Sequence, residues 1–439
     1  MNIILLSGGS GKRLWPLSND VRSKQFLKLF HCPNGLHESM VQRICRQIKE
    51  VDPSSSITIA TAKSQVSSII NQLGKDVDLS IEPCRKDTFP AIALASAFLH
   101  EIKGIDENEA VVICPVDPFV EDGYFHCIRK MCELAQSGNK DLVLMGIEPT
   151  YPSEKYGYIR PVHDKHGCNE WFFTEKPTET DARKYIAEGA LWNGGVFAFK
   201  LSYLLNKSVA LLGTSSYHDL LDHYSGFQRI SFDYAVAEKE KSIAVLRYRG
   251  IWKDLGTWNT LSEEMEESII GDVTVSDGCE NVNAINELGI PMLLMGIKNT
   301  IVAASPDGIL VSDKQASSYI KPHVDKINQQ VMYAEKSWGS FRIIDVGSNS
   351  ITIKASLIPG EKMNYHSHLR REEIWTIING NGQTVIDGVV RSVHPGDVIS
   401  IPIGSKHTII AETELQLIEV QIGKEISVTD KLKYAFPQL

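Results

Sequence analysis

The chain has 439 residues, a length suited to two or three domains of about 150 residues rather than to one core. Hydrophobic residues make up 43% and charged residues 23%, with 18 Pro and 32 Gly, a globular balance that excludes a disordered or fibrous chain. The formal net charge of -9 lacks the basic surplus of a nucleic-acid binder, so any anionic ligand has to be held by local cations.

Ile3 to Leu6 form a short buried-strand run that breaks into Ser7-Gly8-Gly9-Ser10-Gly11-Lys12-Arg13, the pattern of a strand, a glycine loop and a helical turn. The run carries no basic stretch before it and is far too short to cross a bilayer, so neither a signal peptide nor a membrane partner is expected. Apolar runs follow at 56–60, 110–113, 142–146, 196–199 and 242–246, with helical spacing at Ala91 to Glu101 and Glu179 to Glu188. This alternation predicts a Rossmann-like α/β domain with a largely parallel sheet over residues 1–265.

Beyond it, β-branched stretches at 273–275, 300–303 and 309–311 are separated by Asp-Gly and Pro-Asp-Gly turns. They predict a small β-rich connector over 266–335, closing with a helix around Tyr319 to Glu335. Residues 336–439 then show strand patterns at 342–346, 352–357, 375–378, 384–386, 398–401 and 415–421 with almost no helix signal, as in an antiparallel barrel or jelly roll. Eight Cys, at 32, 45, 84, 114, 127, 132, 168 and 279, include no Cys-x-x-Cys pair and read as reduced thiols of a cytoplasmic protein.

The glycine loop lacks the Gly-Lys-Ser/Thr ending of a P-loop, and a glycine turn after a strand is as readily a tight turn as a phosphate cradle. Arg13 and Lys24 favour the cradle, because loop N–H groups and nearby cations together suit a triphosphate. Leu6-Ser-Gly-Gly-Ser-Gly-Lys-Arg-Leu-Trp-Pro-Leu-Ser18, followed by Lys24-Gln25-Phe26, resembles the signature loop of sugar-1-phosphate nucleotidyltransferases, in the form found in mannose-1-phosphate guanylyltransferases. Further matches come in the family's order: Glu82-Pro83, Pro115-Val116-Asp117, Tyr156-Gly157-Tyr158, Phe173-Thr174-Glu175-Lys176, Trp192-Asn193-Gly194-Gly195, Phe232-Asp233-Tyr234 and Trp252-Lys253-Asp254.

The resemblance implies a GT-A-like fold and transfer of a nucleotidyl group from a nucleoside triphosphate, GTP in this family, to a hexose 1-phosphate such as mannose 1-phosphate. Leu6, Gly8, Gly9, Ser10, Gly11 and Lys12, with Glu82 and Lys86, would lie around the nucleotide. Arg13 and Lys24 would neutralise the α-phosphate and the leaving pyrophosphate, and Asp117 and Asp254 would hold Mg²⁺. Gly157, Glu175, Lys176 and Asn193 would face the sugar phosphate. On the residues alone, Asp117 could equally cap a loop, Lys176 could be a solvated lysine, and Trp192, Trp252 and Trp258 read as packing. The family's usual Gly-Arg-Asn after Glu-Pro-x reads Arg85-Lys86-Asp87 here, and Ser23 replaces the usual Pro before Lys24, so reaction type is better specified than base and sugar.

Of 13 histidines, four (366, 368, 394 and 407) fall in the last quarter of the chain. On a strand, residues 366 and 368 share a face, and Glu373 and His407 would arrive from neighbouring strands as a mixed nitrogen and oxygen set suited to a transition metal such as Zn²⁺. His394 fits no ligand position and reads as a surface residue. Gly360-Glu361, Arg371, Glu373, Trp375, Pro402, Gly404 and His407 resemble the type II phosphomannose isomerase cupin fused to many bacterial guanylyltransferases. Two departures stand beside the ligands: His366 replaces a usual Gln, and Ile374 replaces a usual His. The cupin is therefore either a second enzyme, interconverting mannose 6-phosphate and fructose 6-phosphate, or a non-catalytic module that binds sugar or sets oligomeric contacts. Exposed barrel edges make a homodimer an expectation.

Overall fold

The computed structural model describes residues 1–9, 11–19, 21–32, 34–163, 169–327, 330–427 and 430–437. They form two compact units, one of residues 1–9, 25–66 and 76–256, the other of 10–24, 67–75 and 257–439.

The first unit is built on a nine-stranded sheet. Asn2–Ser7 lies at its centre, parallel to both Ser56–Ala62 and Ala110–Pro115, with Asp78–Glu82 at one edge. Ile3, Ile4 and Leu5 are fully buried, which explains why this strand reads as an unbroken apolar run: helices cover both faces. The largely parallel sheet expected from the sequence is in fact mixed. Leu191–Lys200 runs antiparallel between Ala110–Pro115 and Leu142–Ile147, and the hairpin Tyr158–His163 with Asn169–Thr174 adds an antiparallel edge. Alternation of helix and strand does not reveal direction, because a return strand reached through a long connection has the same local pattern as a parallel one.

The helix expected at 91–101 is observed as Thr88–Ala97 continued by a π-helical turn, Phe98–Ile102. Phe89, Ile92, Ala93, Leu94 and Ala95 are all buried, so the helix is apolar all round and sits inside the unit. Asp87 caps it: its carboxylate accepts from Thr88 N at 2.9 Å.

In the second unit, Ile269–Ile270, Asn283–Asn286, Thr300–Ser305 and Gly308–Asp313 form a four-stranded sheet, and Val273–Val275 pairs with Met292–Leu294. The segment after the glycine loop is anchored to these strands. Ser305 Oγ donates to the Pro16 carbonyl at 2.6 Å, Asn19 Nδ2 to Asp307 Oδ2 at 2.7 Å, and Arg22 grips Glu287 with two bonds of 2.7 and 2.9 Å. A Cβ on Gly308 would stand 2.4 Å from the Trp15 ring, so glycine is needed for this contact. The helix expected around 319–335 is reduced to a 3-10 turn, Ala316–Tyr319, and one α turn, Lys321–Val324. Tyr333–Lys336 is instead an edge strand on Gly339–Val346, since cross-strand pairing outweighs a weak local helical tendency.

The rest of this unit is a jelly roll of two facing antiparallel sheets. One holds six strands, Tyr333–Lys336, Gly339–Val346, Ser350–Leu357, Leu415–Ile422, Glu372–Asn379 and Val398–Ile401. The other holds five, Val389–Val393, Gly382–Ile386, His407–Ala411, His366–Ser367 and Leu432–Lys433. Leu357, Trp375, Ile377, Ile409, Leu415 and Leu417 fill the space between them. The six strands expected in this region are present; those added here include pieces of two residues, too short to show an alternating pattern.

Candidate functional site

A pocket of about 220 Å³ opens in the first unit, lined among others by Asp117, Gly157, Glu175, Asn193 and Asp254. Asp117 follows the strand Ala110–Pro115, and Asp254 ends a short strand whose antiparallel register sets it opposite Pro118. Two carboxylates far apart in sequence therefore reach one cavity. A Cβ on Gly256 would come within 3.0 Å of Asp254 Oδ1, so glycine leaves that carboxylate room.

The opposite wall is polar and tightly fitted. A Cβ on Gly157 would meet Glu175 Oε2 at 2.5 Å and the Phe173 ring at 2.7 Å, so only glycine allows Glu175 its place. Glu175 Oε1 accepts from Lys176 Nζ, and Lys176 holds a positive φ of 44°. Asn193 N donates to the Gly157 carbonyl at 2.8 Å, and the bulge in Leu191–Lys200 just after Asn193 turns its side chain toward the pocket rather than into the ladder.

Of the four residues the sequence pointed to as sugar-phosphate contacts, Gly157, Glu175 and Asn193 line this pocket and Lys176 stands beside it through Glu175, while Asp233, Lys155, Tyr156 and Trp252 line it without having been given that role. Asp233 accepts from Asn193 Nδ2 at 2.7 Å, and burial together with the charge of Glu175 pushes its pKa up to about 6. An acidic residue flanked by Phe232 and Tyr234 was the available signal. Tyr156 packs edge-on against Trp192 and Trp252, with centroids 5.0 and 5.3 Å away, so the tryptophans read as packing form an aromatic wall, and Trp252 also faces the cavity.

The remaining predicted positions are distributed as follows. Leu6 belongs to the central strand, and its carbonyl accepts from Val116 N. Gly8 is exposed, while Gly9 adopts a φ of 124° and its carbonyl accepts from Gln65 Nε2 and Arg85. Ser10 lies outside the described residues. Gly11, Lys12 and Arg13 form a 3-10 turn of the second unit, with Lys12 Nζ 3.3 Å from Asp325 Oδ1 and Arg13 exposed; Lys24, also of that unit, opens the turn Lys24–Phe26. Glu82 is buried and accepts from Tyr224 OH at 3.0 Å, and Lys86 Nζ donates to the Ser225 carbonyl at 2.5 Å, so both engage the turn Tyr224–Gly226 and neither lines the pocket.

A second cluster occupies the jelly roll. The donor nitrogens of His366, His368 and His407 all lie within 4.8 Å of one another, and the three side chains are buried. Each Nδ1 faces a main-chain carbonyl: Asn364 at 2.6 Å for His366, Ser405 at 2.9 Å for His407, and Asp430 for His368. Arg371, which can only donate, stands 3.0 Å from His368 Nε2, so that nitrogen accepts and Nδ1 carries the proton. Burial drives the His366 pKa down to about 2, leaving the ring neutral.

Glu373 Oε1 is 3.0 Å from His368 Nε2, and Glu373 Oε2 is 3.4 Å from His407 Nε2, a buried nitrogen without a hydrogen-bond partner. A buried carboxylate facing two imidazole nitrogens calls for positive charge beside it. Arg371 Nε, at 3.0 Å from Glu373 Oε1, supplies part of that charge. Three imidazoles with fixed tautomers, one orphaned nitrogen and one carboxylate fit a divalent transition metal. The fourth nearby histidine, His394, is exposed and bonded to Asn381 and Asp397.

An α/β sheet that brings two aspartates and a polar wall to one pocket, followed by a jelly roll with three oriented histidines, defines a nucleotidyl transferase joined to a cupin. The chain belongs to the nucleotidyl transferase family, whose model matches residues 2–269, and a second match, to the mannose-6-phosphate isomerase C-terminal family, covers residues 323–434. It is 29% identical to a mannose-1-phosphate guanylyltransferase of Salmonella montevideo, over 98% of both chains. It is 28% identical to the xanthan biosynthesis protein XanB of Xanthomonas campestris pv. campestris, over 98% of this chain and 97% of that one. A solved structure described as a mannose-1-phosphate geranyltransferase from Thermus thermophilus superposes with a TM-score of 0.60 at 27% identity, covering 74% of this chain and 98% of its own.

Proposed function

We propose that the chain transfers GMP from GTP to mannose 1-phosphate, releasing pyrophosphate and forming GDP-mannose for cell-surface polysaccharide. The convergence of Asp117, Asp254, Glu175 and Asn193 on one pocket carries the reading. Attack of a sugar phosphate oxygen on an α-phosphorus asks a protein mainly for in-line placement and charge neutralisation. Two separate carboxylates suit Mg²⁺, which when bound would screen the crowded phosphate oxygens. Glu175, Asn193 and Asp233 supply acceptors and a donor for sugar hydroxyls, Lys176 a cation for the sugar phosphate, and the Tyr156–Trp252 wall an apolar face for the ring. The roles of Arg13 and Lys24 toward the triphosphate, and of Leu6 to Lys12, Glu82 and Lys86 toward the nucleotide, rest on the resemblance of their motifs.

The test is Mg²⁺-dependent pyrophosphate release over a panel of nucleoside triphosphates and hexose 1-phosphates. Fastest turnover with GTP and mannose 1-phosphate is the expected result; no turnover with any pair would sink the proposal, and a different best pair would reassign base or sugar.

The cupin is proposed to hold a transition metal such as Zn²⁺ through His366, His368, His407 and Glu373, a reading supported by the three fixed tautomers. A coupled isomerase assay on metal-loaded protein separates its two functions. Interconversion of mannose 6-phosphate and fructose 6-phosphate, lost in His368→Ala, marks an enzyme; bound metal without conversion marks a module. Among the described residues no helix is long and apolar enough to cross a membrane. The proposed setting is cytoplasmic, and it suits the seven described cysteines, which are free thiols. Cys168 lies outside the described residues.

A further inference from the structure

The three histidines of the cupin differ in what orients them. His366 and His407 each bond a carbonyl two residues earlier in the chain, so their orienting group is built by the same local turn as the ligand. The partner of His368 Nδ1 is the main-chain carbonyl of Asp430, 62 residues away on the C-terminal segment. The same residue pins the chain just after the ligand: its carboxylate accepts from Leu369 N at 2.9 Å and from Arg370 N at 3.0 Å. Leu432 and Lys433 then pair antiparallel with Ser367 and His366, and Tyr434 N donates to the Tyr365 carbonyl at 2.9 Å. Tyr434 OH lies 3.0 Å from Ser367 Oγ, while Lys406 and Lys362 lie over the Tyr434 and Phe436 rings at 4.5 and 3.5 Å.

From this geometry we infer that the C-terminal segment Asp430–Phe436 is a strap that completes the metal centre, with Asp430 as the positioning residue for His368. The inference rests on the reading of the cupin as a metal site. A neutral imidazole ligates only when its other nitrogen carries the proton and its ring is aimed. The strap supplies both conditions for His368, and it does so by a tertiary contact that can be removed without touching any ligand. With the strap released, His368 can turn, and Arg371 and Glu373 keep each other as partners in place of the imidazole.

The experiment measures Zn²⁺ affinity by competition with a chromophoric chelator, and the visible absorption of the Co²⁺-loaded full chain, for the wild type, Asp430→Ala, Asp430→Asn and a chain ended after Ser427. The cupin's own cooperative unfolding transition in calorimetry reports that each variant is folded. We expect Zn²⁺ binding to weaken about 10- to 100-fold in the shortened chain and about tenfold in Asp430→Ala, with an altered Co²⁺ spectrum and unchanged transferase turnover. Asp430→Asn, which keeps one acceptor oxygen for the two amides, is expected to recover most of the affinity. Should the shortened chain fail to fold, the two point variants decide. Wild-type affinity and spectrum in Asp430→Ala and in every folded shortened chain would overturn the strap while leaving the metal reading intact. Failure of the wild type itself to bind either ion would overturn both.

Discussion

Asn193 spans the floor of the transferase pocket by donating to Asp233 at 2.7 Å and accepting from Gly195 N at 3.1 Å. Both ends of its amide are thereby oriented, and the carboxyl of Asp233, which lies in a matched motif but had been given no site role, is drawn into the site. Burial is what makes this acid unusual, with the negative charge of Glu175 adding to it.

The Asp233 pKa is raised in the fold from 3.8 to about 6, so the folded protein binds more protons than the unfolded chain between those values. Stability from this group is therefore present at low pH and lost as pH rises from about 4 to about 6. Urea unfolding of Asp233→Asn should lack that loss and gain on the wild type at pH 7 relative to pH 4.5. Parallel pH profiles for the two proteins would show that Asp233 ionises normally.

Asp254→Ala, Asp117→Ala and Lys24→Ala should each lower turnover at least about a hundredfold, as removal of an electrostatic catalytic group does, with little change in the thermal unfolding midpoint. The aspartates are half-buried at a pocket rim rather than in the core, so their loss should not unfold the sheet. Initial rates at saturating Mg²⁺ and circular dichroism melts check this, and near-normal turnover in any variant removes that residue from the chemistry.

Gly157→Ala places a methyl 2.5 Å from Glu175 Oε2 and 2.7 Å from the buried Phe173 ring. Overpacking of this kind costs about 1–3 kcal/mol, and the side chain easiest to displace is Glu175. The KM for mannose 1-phosphate should rise about tenfold, the equivalent of roughly 1.4 kcal/mol, with the KM for GTP unchanged. A rise confined to GTP would move Gly157 and Glu175 to the nucleotide side.

Removing the metal proposed for the cupin should leave the transferase chemistry intact. Saturation at a hundred times Kd stabilises a folded state by about 2.7 kcal/mol, so extraction with a strong chelator should lower the cupin's unfolding midpoint. Transferase turnover should return on adding Mg²⁺ alone. The midpoint should recover only with a transition metal, and His407→Ala, which removes the orphaned ring nitrogen, should make it insensitive to Zn²⁺. Calorimetry before and after chelation checks both points.

Local pattern carried a good deal of this protein. Ile3 to Leu6 announced a buried strand, the sequence from 91 to 101 a helix, and the spacing of His366 and His368 two rings on one side of a strand, because each depends only on the period of the backbone. The antiparallel course of Leu191–Lys200, the approach of Asp233 to Asn193 and the anchoring of Trp15 to Arg22 on the connector strands were not legible in that way. Strand direction, a buried acid's partner and the hold of Asp430 on His368 are set by which distant segments the packed core brings together. Side-chain chemistry and backbone period are written residue by residue, whereas pairing, burial and the pKa values that follow from them exist only once the chain has closed on itself.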